Sequence, residues 1–413
     1  MSMLASLRAP TRFAALLALT VAGACSPSST RPDEGAATPS TPASPAAAAK
    51  NAPEAAGSAL APYEVLAGDF HCHVNPPDSP SDVARGIDET VELAAQEKLD
   101  FVVLTPHVPA RFFQSSAQRK AVLDGQKNLQ KALAPHANGK TIFIRGMEYT
   151  DHAYGHAGVA FGDLEAVLSE LDARTLGGKP ELFFERYVDK GGLLVVNHPF
   201  STPLESTVAI ARANLSWRPF TAKGPFPSEI QALARLAQGY EAYNFAITEL
   251  RDRFLLADSE HSISRILARM DQESVEKKRR LIPVGGSDSH SHYLRASTFV
   301  LSKTRSQEGI REALAAGRVC VRSRDACSLE VRAGEGAWSA LGSSVRGSVV
   351  EARVGGDSQD IELFVNGTAV AQPAAGETVK VQVPADKCSV IRARVGEGYS
   401  GGVYANCDLA EGG

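Results

Sequence analysis

The sequence Asp69-Phe70-His71-Cys72-His73 closes a short apolar run that begins at residue 65. Short runs of this kind, with β-branched and aromatic side chains, are typical of β-strands. Residues two apart in an extended chain point to the same side, so His71 and His73 face one side and Cys72 the other. Imidazole is a common metal ligand, and the pair therefore predicts a metal site at the end of a strand.

Strand-like and helix-like stretches alternate over residues 64–321. Seven short apolar runs predict strands at 65–70, 101–105, 141–144, 158–161, 193–197, 240–243 and 281–284. Helical spacing of apolar residues predicts helices at 81–98, with Ser81 as N-cap, and at 115–133, 248–270 and 307–316. Such alternation predicts a parallel α/β architecture, and about seven strands suit a TIM-like barrel.

The pattern changes near residue 328. Short strands are predicted at 328–332, 348–354, 361–365, 379–383 and 390–395, and several of them alternate apolar and polar residues around turns such as Asn366-Gly367. This region contains no histidine. We therefore predict a barrel over 63–326 and a small antiparallel, sandwich-like all-β domain over 327–413, with a role in packing or recognition.

Potential ligands follow most of the predicted strands of the first region. Six of the ten histidines lie at or beside strand ends, as do one glutamate and one aspartate. They are His71, His73, His107, Glu148, His156, His198, Asp288 and His290. Barrel enzymes build their sites at the carboxyl ends of strands, so we expect these side chains to meet there. Mixed imidazole and carboxylate ligands favour Zn, Mn or Fe.

These ordered motifs resemble the polymerase and histidinol phosphatase (PHP) superfamily of metal-dependent phosphoesterases, in particular the carbamate-insecticide hydrolases of the CehA/McbA type. The resemblance covers about residues 66–325 and implies a distorted barrel of seven strands with two or three divalent ions. It implies a first site of His71, His73, Glu148 and Asp288, a second of Glu148, His156 and His198, and a third of Asp78, His107 and His290.

Two loops depart from the pattern of that family. Pro106 stands where the family usually has aspartate, and Ser79 stands where it usually has glycine. Both departures flank ligands of the third site. His152, four residues after Glu148, is an alternative to His156 as ligand of the second site.

The chemistry expected of such a cluster is hydrolysis by a metal-bridging hydroxide, because a water between two cations is acidified towards a pKa of ~7. We expect a phosphoesterase acting on a small phosphate ester or nucleotide, with Glu148, His290 and Arg295 in catalytic roles. Arg145 and Arg111 are further candidates for holding phosphate oxygens. Alternatives are a carboxyl or carbamate ester hydrolase with the same site and a non-catalytic surface binding protein.

The beginning of the sequence predicts export. Residues 1–25 combine basic residues, an apolar run and Ala22-Gly23-Ala24-Cys25, which resembles the lipobox of bacterial lipoproteins. Lipidation of Cys25 would anchor a periplasmic or outer-membrane protein, whereas ordinary signal-peptidase cleavage would release it. Residues 26–62 are rich in Ala, Pro and Ser, a composition typical of a disordered linker.

Cysteine usage and charge fit this picture. Disulfides are expected outside the cytoplasm, most plausibly Cys388–Cys407 and also Cys320–Cys327, although four free thiols are the alternative. A formal net charge of -4 provides no basic field for a polyanion, so nucleic acid is not expected as a standing partner. Membrane contact is expected through Cys25 only.

Overall fold

The computed structural model describes residues 57–201, 214–248 and 263–409. The predicted leader 1–25 and most of the linker 26–62 lie outside these residues. No helix in the described part of the chain is both long and apolar enough to cross a membrane.

Strands and helices alternate up to residue 321, and strands dominate after it. The strands are β1 (Glu64–Cys72), β2 (Phe101–Leu104), β3 (His107–Pro109), β4 (Ile142–Asp151), β5 (Gly155–Ala160), β6 (Leu193–Val196), β7 (Gly239–Asn244), β8 (Ile282–Gly286), β9 (Thr298–Ser302), β10 (Val319–Val321), β11 (Leu329–Ala333), β12 (Ser344–Val345), β13 (Val349–Val354), β14 (Ile361–Val365), β15 (Thr368–Ala371), β16 (Thr378–Gln382), β17 (Ser389–Val395), β18 (Gly398–Ser400) and β19 (Val403–Ala405). The helices are α1 (Ile87–Gln96), α2 (Ser116–Leu133), α3 (Leu164–Glu170), α4 (Ala173–Gly178), α5 (Glu181–Asp189), α6 (Arg218–Thr221), α7 (Ser228–Leu236), α8 (Ile263–Lys277) and α9 (Gln307–Ala315).

One large mixed sheet organises the α/β fold. Its strand order is β12-β19-β17-β18-β10-β9-β1-β2-β4-β5-β6-β7-β8. Pairs β1–β2, β2–β4, β6–β7 and β7–β8 are parallel, as expected for strands joined by helices. Beyond β8, the backbone N–H of Asp288 donates to the carbonyl of His71 (2.8 Å), and that of His73 donates to Ser289 (3.2 Å). The segment after β8 thus pairs with the end of β1, while a seven-stranded barrel stays a prediction.

The expectation of a wholly parallel sheet is wrong at β5. This strand runs antiparallel to both β4 and β6. Only residues 152–154 connect β4 to β5, and a parallel crossover needs a dozen residues or more. The connection can therefore form only a hairpin.

The helix predicted for residues 81–98 begins later than its pattern indicates. It starts at Ile87, and Gly86 precedes it, so Ser81 is not the N-cap. The backbone N–H of Ala84 donates to His290 (3.0 Å), and the carbonyl of Arg85 accepts from Asn75 (3.0 Å). These tertiary bonds occupy backbone groups that a longer helix would need. The predicted helix 248–270 falls largely outside the described residues, and α8 covers its end.

The region after residue 328 is rich in strands, as predicted. β11, β13 and β16 form a separate three-stranded antiparallel sheet. β17, β18 and β19 instead extend the large sheet, which β18 joins through β10. The domain boundary between residues 326 and 327 stays a prediction. Both expected disulfides, Cys320–Cys327 and Cys388–Cys407, are present.

Apolar side chains of the strands form a buried layer, and the polar strand ends lie beyond this layer. Leu66, Phe101, Val103, Ile144 and Val195 are fully buried in one cluster that fills the space between the strands. Each such side chain contributes about 1.5–3 kcal/mol by leaving water. The strand ends beyond this layer carry the ligands described below.

Candidate metal centre

The histidine pair at the end of β1 faces one side, as predicted. The Nε2 atoms of His71 and His73 lie 3.2 Å apart, and both side chains are buried. Cys72 points the other way into an apolar cluster, where its sulfur accepts a hydrogen bond from Arg85 (3.0 Å). The alternation of an extended chain therefore separates the two imidazoles from the thiol.

The carboxylate of Glu148 lies at the middle of the histidines. The register of the sheet places Glu148 opposite His107 on β3 and opposite Gly158 on β5, two residues from His156. Its Oε1 lies 3.3 Å from His71 Nε2, 3.2 Å from His156 Nδ1 and 3.5 Å from His198 Nε2. Its Oε2 lies 3.5 Å from His107 Nε2 and 3.8 Å from His73 Nε2. The two oxygens thus face two different sets of imidazoles.

The segment after β8 completes the cluster. Asp288 Oδ1 lies 3.2 Å from His73 Nε2 and 3.4 Å from His71 Nε2. Asp288 (φ 49°) and His198 (φ 30°) both have positive φ, which is uncommon for residues other than glycine and concentrates at functional sites. The backbone is therefore bent at two of the candidate ligands.

Three groups of side chains bring their ligand atoms within 4.8 Å of one another. They are His71, His73 and Asp288; Glu148, His156 and His198; and His73, His107 and His290. The predicted ligands thus meet at one place, with His156 and not His152 in the second group. Asp78 is outside these groups but is buried beside the third: its Oδ1 accepts from the backbone N–H of His107 (2.8 Å).

Ring orientation is shared by most of the histidines. A hydrogen bond joins an oxygen to Nδ1 of four rings: Glu241 for His71 (3.0 Å), Asp78 for His107 (3.1 Å), the carbonyl of Leu215 for His198 (3.1 Å), and that of Asp288 for His290 (3.0 Å). An ionised carboxylate or carbonyl can only accept, so Nδ1 carries the proton and Nε2 offers a lone pair. The lone pairs face the centre, which is the arrangement that metal-binding histidines adopt. The donor set therefore fits divalent cations.

Charges in the centre compensate one another. Although burial favours the neutral imidazole, the acceptor carboxylates of Asp288 and Asp78 raise the pKa of His73 to about 9. Burial also disfavours ionised Glu148, yet the neighbouring imidazoles, His156 first, hold the pKa of this carboxyl well below its usual range. Side chains that shift each other's pKa in this way are typical of functional sites.

His290 has the opposite shift and the greatest exposure. Loss of part of its hydration to the surrounding side chains, and then the neighbouring His73, lower the pKa of His290 to about 4. Its side chain is 40% exposed and that of His107 is 31% exposed, whereas Asp288 is 12% exposed. The centre therefore opens to solvent on the side of His107 and His290.

The three arginines proposed to hold phosphate have other partners. Arg295 donates to Glu97 (2.8 Å) and lies over the ring of Phe245, 4.8 Å from its centroid. Arg111 pairs with Glu229. Arg145 donates to the carbonyl of Gln126 (3.4 Å). None of these contacts places a guanidinium among the described ligand atoms.

Sequence reasoning missed the residues that hold the ligands. Asn197 donates to Glu148 Oε1 (2.8 Å) and accepts from the backbone N–H of Gly158 (3.0 Å). On β7, Glu241 accepts from Nδ1 of His71 and Asn244 donates to Asp288. The sequence signal that could have identified these residues is an acidic or amide side chain inside an apolar strand or directly after it.

Substitution of Gly286 by alanine is expected to disturb the centre. The added Cβ would lie 2.2 Å from Cβ of His71 and 2.9 Å from Glu241 Oε1, so one of these must move. We expect Gly286→Ala to lower stability by about 1–3 kcal/mol and Zn²⁺ affinity by ~10-fold or more, measured by urea unfolding and by chelator competition. Gly177→Ala on α4, where nothing lies within 4 Å, is the control and should change neither. Unchanged Zn²⁺ affinity in Gly286→Ala would contradict the close packing.

Metal affinity is expected to rise with pH up to about 9. His73, with a pKa of about 9, is protonated at neutral pH, and a protonated imidazole cannot bind a metal. The proton therefore competes with the metal below about pH 9, and this competition disappears above it. Calorimetric titration with Mn²⁺ in buffers of different ionisation enthalpy measures the protons released. Binding at about pH 7 without proton release would refute the expectation.

Comparison of the sequence with models of known protein families and with curated proteins finds no match. Similar solved structures include a two-domain protein from Bacteroides vulgatus that contains a predicted PHP-like metal-dependent phosphoesterase. It is 17% identical, covers 83% of this chain and 94% of its own, and has a TM-score of 0.40. PsfC from Pseudomonas syringae is 17% identical over 58% of this chain and 82% of its own, with a TM-score of 0.32.

A third similar structure is the lesion-specific endonuclease Q from Pyrococcus furiosus, 16% identical over 61% of this chain and 56% of its own, with a TM-score of 0.34. Likenesses of this size leave function to be argued from the site itself. That site is a cluster of imidazoles and carboxylates whose donor atoms fit divalent cations.

Proposed function

We propose that the protein is a metal-dependent hydrolase of the PHP type, and that it acts as a phosphoesterase on a small extracytoplasmic phosphate ester or nucleotide. The observation that carries the proposal is the shared ring orientation: the Nε2 lone pairs of four imidazoles face one centre around the buried carboxylate of Glu148. Clustered lone pairs and carboxylates repel one another unless protons or cations lie between them. A divalent cation cluster satisfies that requirement.

The residues suggest how ions would be shared. Oε1 of Glu148 faces His156 and His198, and Oε2 faces His73 and His107, so this carboxylate can bridge two ions. Divalent ions there would supply an acidified water and neutralise charge that develops during hydrolysis. The side of the site that is open, at His107 and His290, is where an ester can approach.

Individual side chains would hold protons in defined places. His290 keeps its proton on Nδ1, which faces the carbonyl of Asp288 (3.0 Å), and its lowered pKa of about 4 leaves Nε2 unprotonated at neutral pH. It can therefore accept a metal or a proton on the open side. Asp78 keeps the ring of His107 oriented, whether or not it also binds an ion.

Hydrolysis of a carboxyl or carbamate ester is the second candidate, and one observation favours it. Arg295 and Arg111 already pair with Glu97 and Glu229. A phosphate clamp would require these pairs to break, whereas a neutral ester needs no guanidinium. Arg295 as a catalytic residue remains a prediction.

Metal content and substrate class can be tested together. We expect the purified protein to bind at least two equivalents of Zn, Mn or Fe and to hydrolyse phosphomonoesters or phosphodiesters faster than carboxyl or carbamate esters. His71→Ala and Asp288→Ala should each lower kcat/KM by ~100-fold or more, because each removes a ligand. His136→Ala, a surface histidine paired with Asp88, is the control and should keep activity.

The other outcomes distinguish the alternatives. Faster turnover of carboxyl or carbamate esters would establish the second candidate. Bound metal without hydrolysis of any ester would favour a surface binding protein. Fewer than two metal equivalents under every loading condition would refute the cluster.

We also propose export with a lipid on Cys25. The two disulfides support an oxidising compartment, because such bonds are rare in the cytoplasm. In a bacterial host supplied with labelled palmitate, wild type should carry label and Cys25→Ser should not. Label-free wild-type protein recovered in a soluble periplasmic fraction would indicate ordinary signal-peptidase cleavage instead.

A further inference from the structure

β7 lies between two ligand-bearing strands of the sheet but supplies none of the predicted metal ligands. β6 leads to His198 and β8 leads to Asp288. At the carboxyl end of β7 stand Glu241 and Asn244, both fully buried. A buried carboxylate and a buried amide are costly unless their hydrogen bonds are satisfied. Their partners therefore indicate why they are there.

Among the described residues, the Glu241 carboxylate has two candidate metal ligands, His71 and His198, and the neighbouring Asn244 as hydrogen-bond partners. Oε1 lies 3.0 Å from Nδ1 of His71, and Oε2 accepts from the backbone N–H of His198 (2.8 Å). Oε2 also accepts from Nδ2 of Asn244 (3.0 Å). A carboxylate with these contacts fixes the ring of His71 and the backbone at His198 at the same time.

Asn244 extends these contacts to Asp288. Its Nδ2 donates to Asp288 Oδ2 (3.0 Å), while its Oδ1 accepts from the backbone N–H of Ile247 (3.0 Å). The bond from Ile247 fixes which end of the amide is oxygen, so the donor end must face the two carboxylates. Oδ1 of Asp288 then remains free to face His71 and His73.

We propose that Glu241 and Asn244 are positioning residues that set the geometry of two ligand groups jointly. His71 and Asp288 belong to one group, and His198 belongs to the other. The inference rests on the metal centre of the proposed function. Loss of Glu241 should therefore weaken the binding of more than one ion. Loss of a single ligand should mainly weaken the binding of the ion held by the group to which that ligand belongs.

The experiment measures binding of Co²⁺ to the full protein and its Glu241 variants. Affinity and stoichiometry come from calorimetry, and the visible spectrum of bound Co²⁺ reports ligand geometry. We expect Glu241→Ala to weaken Co²⁺ binding by ~10- to 100-fold and to alter the spectrum. Glu241→Gln should recover much of the affinity, because its carbonyl oxygen can still accept from Nδ1 of His71.

Asn244 is tested by substitution with alanine and with aspartate. Asn244→Ala should weaken Co²⁺ binding less than Glu241→Ala, because Glu241 still holds His71. Asn244→Asp places a third carboxylate against Glu241 and Asp288 without a donor, and it should weaken binding more than alanine does. Binding equal to wild type in both variants would refute the role of Asn244.

Glu273→Gln is the matched control for a buried carboxylate. Glu273 lies on α8, is 3% exposed, and pairs with Tyr240, Lys277 and Arg279. Its substitution should lower the urea midpoint while Co²⁺ affinity and spectrum stay as in wild type. A merely structural Glu241 would behave in the same way as Glu273, and that result would overturn the proposal.

Failure of the inference differs from failure of the proposed function. Wild-type protein that binds two or more ions while Glu241→Ala retains wild-type affinity and spectrum refutes only the positioning role. Wild-type protein that binds fewer than two ions refutes the metal centre and the positioning role with it. If Glu241→Ala does not fold, Glu241→Gln and the Asn244 variants decide between these outcomes.

Discussion

The contact between Glu148 and the imidazoles around it is the constraint on which the rest of the site depends. An ionised carboxylate that is 1% exposed is tolerated only if charge or hydrogen bonds compensate it. The chain meets this requirement by bringing ligands from β1, β3, β5 and the segment after β6 to within 4 Å of that carboxylate. The order of strands in the sheet therefore determines which imidazoles lie close enough to compensate the charge of Glu148.

The hairpin between β4 and β5 helps to compensate the charge of Glu148. Glu148 lies within β4 rather than beyond its end, and the antiparallel return places His156 and Gly158 beside it. The absence of a side chain at Gly158 leaves room for Asn197, whose amide oxygen would lie 3.0 Å from an added Cβ. A parallel crossover would have sent the chain to the far end of the sheet and lost these contacts.

Much of the site could be predicted from the sequence, because most of the ligands lie at or near the end of an apolar run and the ends of parallel strands share one edge of a sheet. His71 and His73 are the clearest example, since their spacing of two residues determines that they face the same side. Glu241, Asn244 and Asn197 could not be assigned in this way: what they contact depends on which strands are neighbours, and that order is not local. The predicted start of α1 was wrong for a related reason. The backbone hydrogen bonds between Arg85 and Asn75 and between Ala84 and His290 outweigh the capping tendency of Ser81, and His290 is far from this segment in the sequence.

Among the residues that the structure describes, Cys72 is a free thiol, whereas the other four cysteines form two disulfides. In an oxidising compartment such a thiol can attack a disulfide and exchange partners, and the attacking species is the thiolate. Burial raises the pKa of Cys72 to about 12, and the sulfur is enclosed by apolar side chains and Arg85. The strand that presents two imidazoles to the centre thereby keeps its one reactive sulfur out of disulfide exchange during the lifetime of the folded protein.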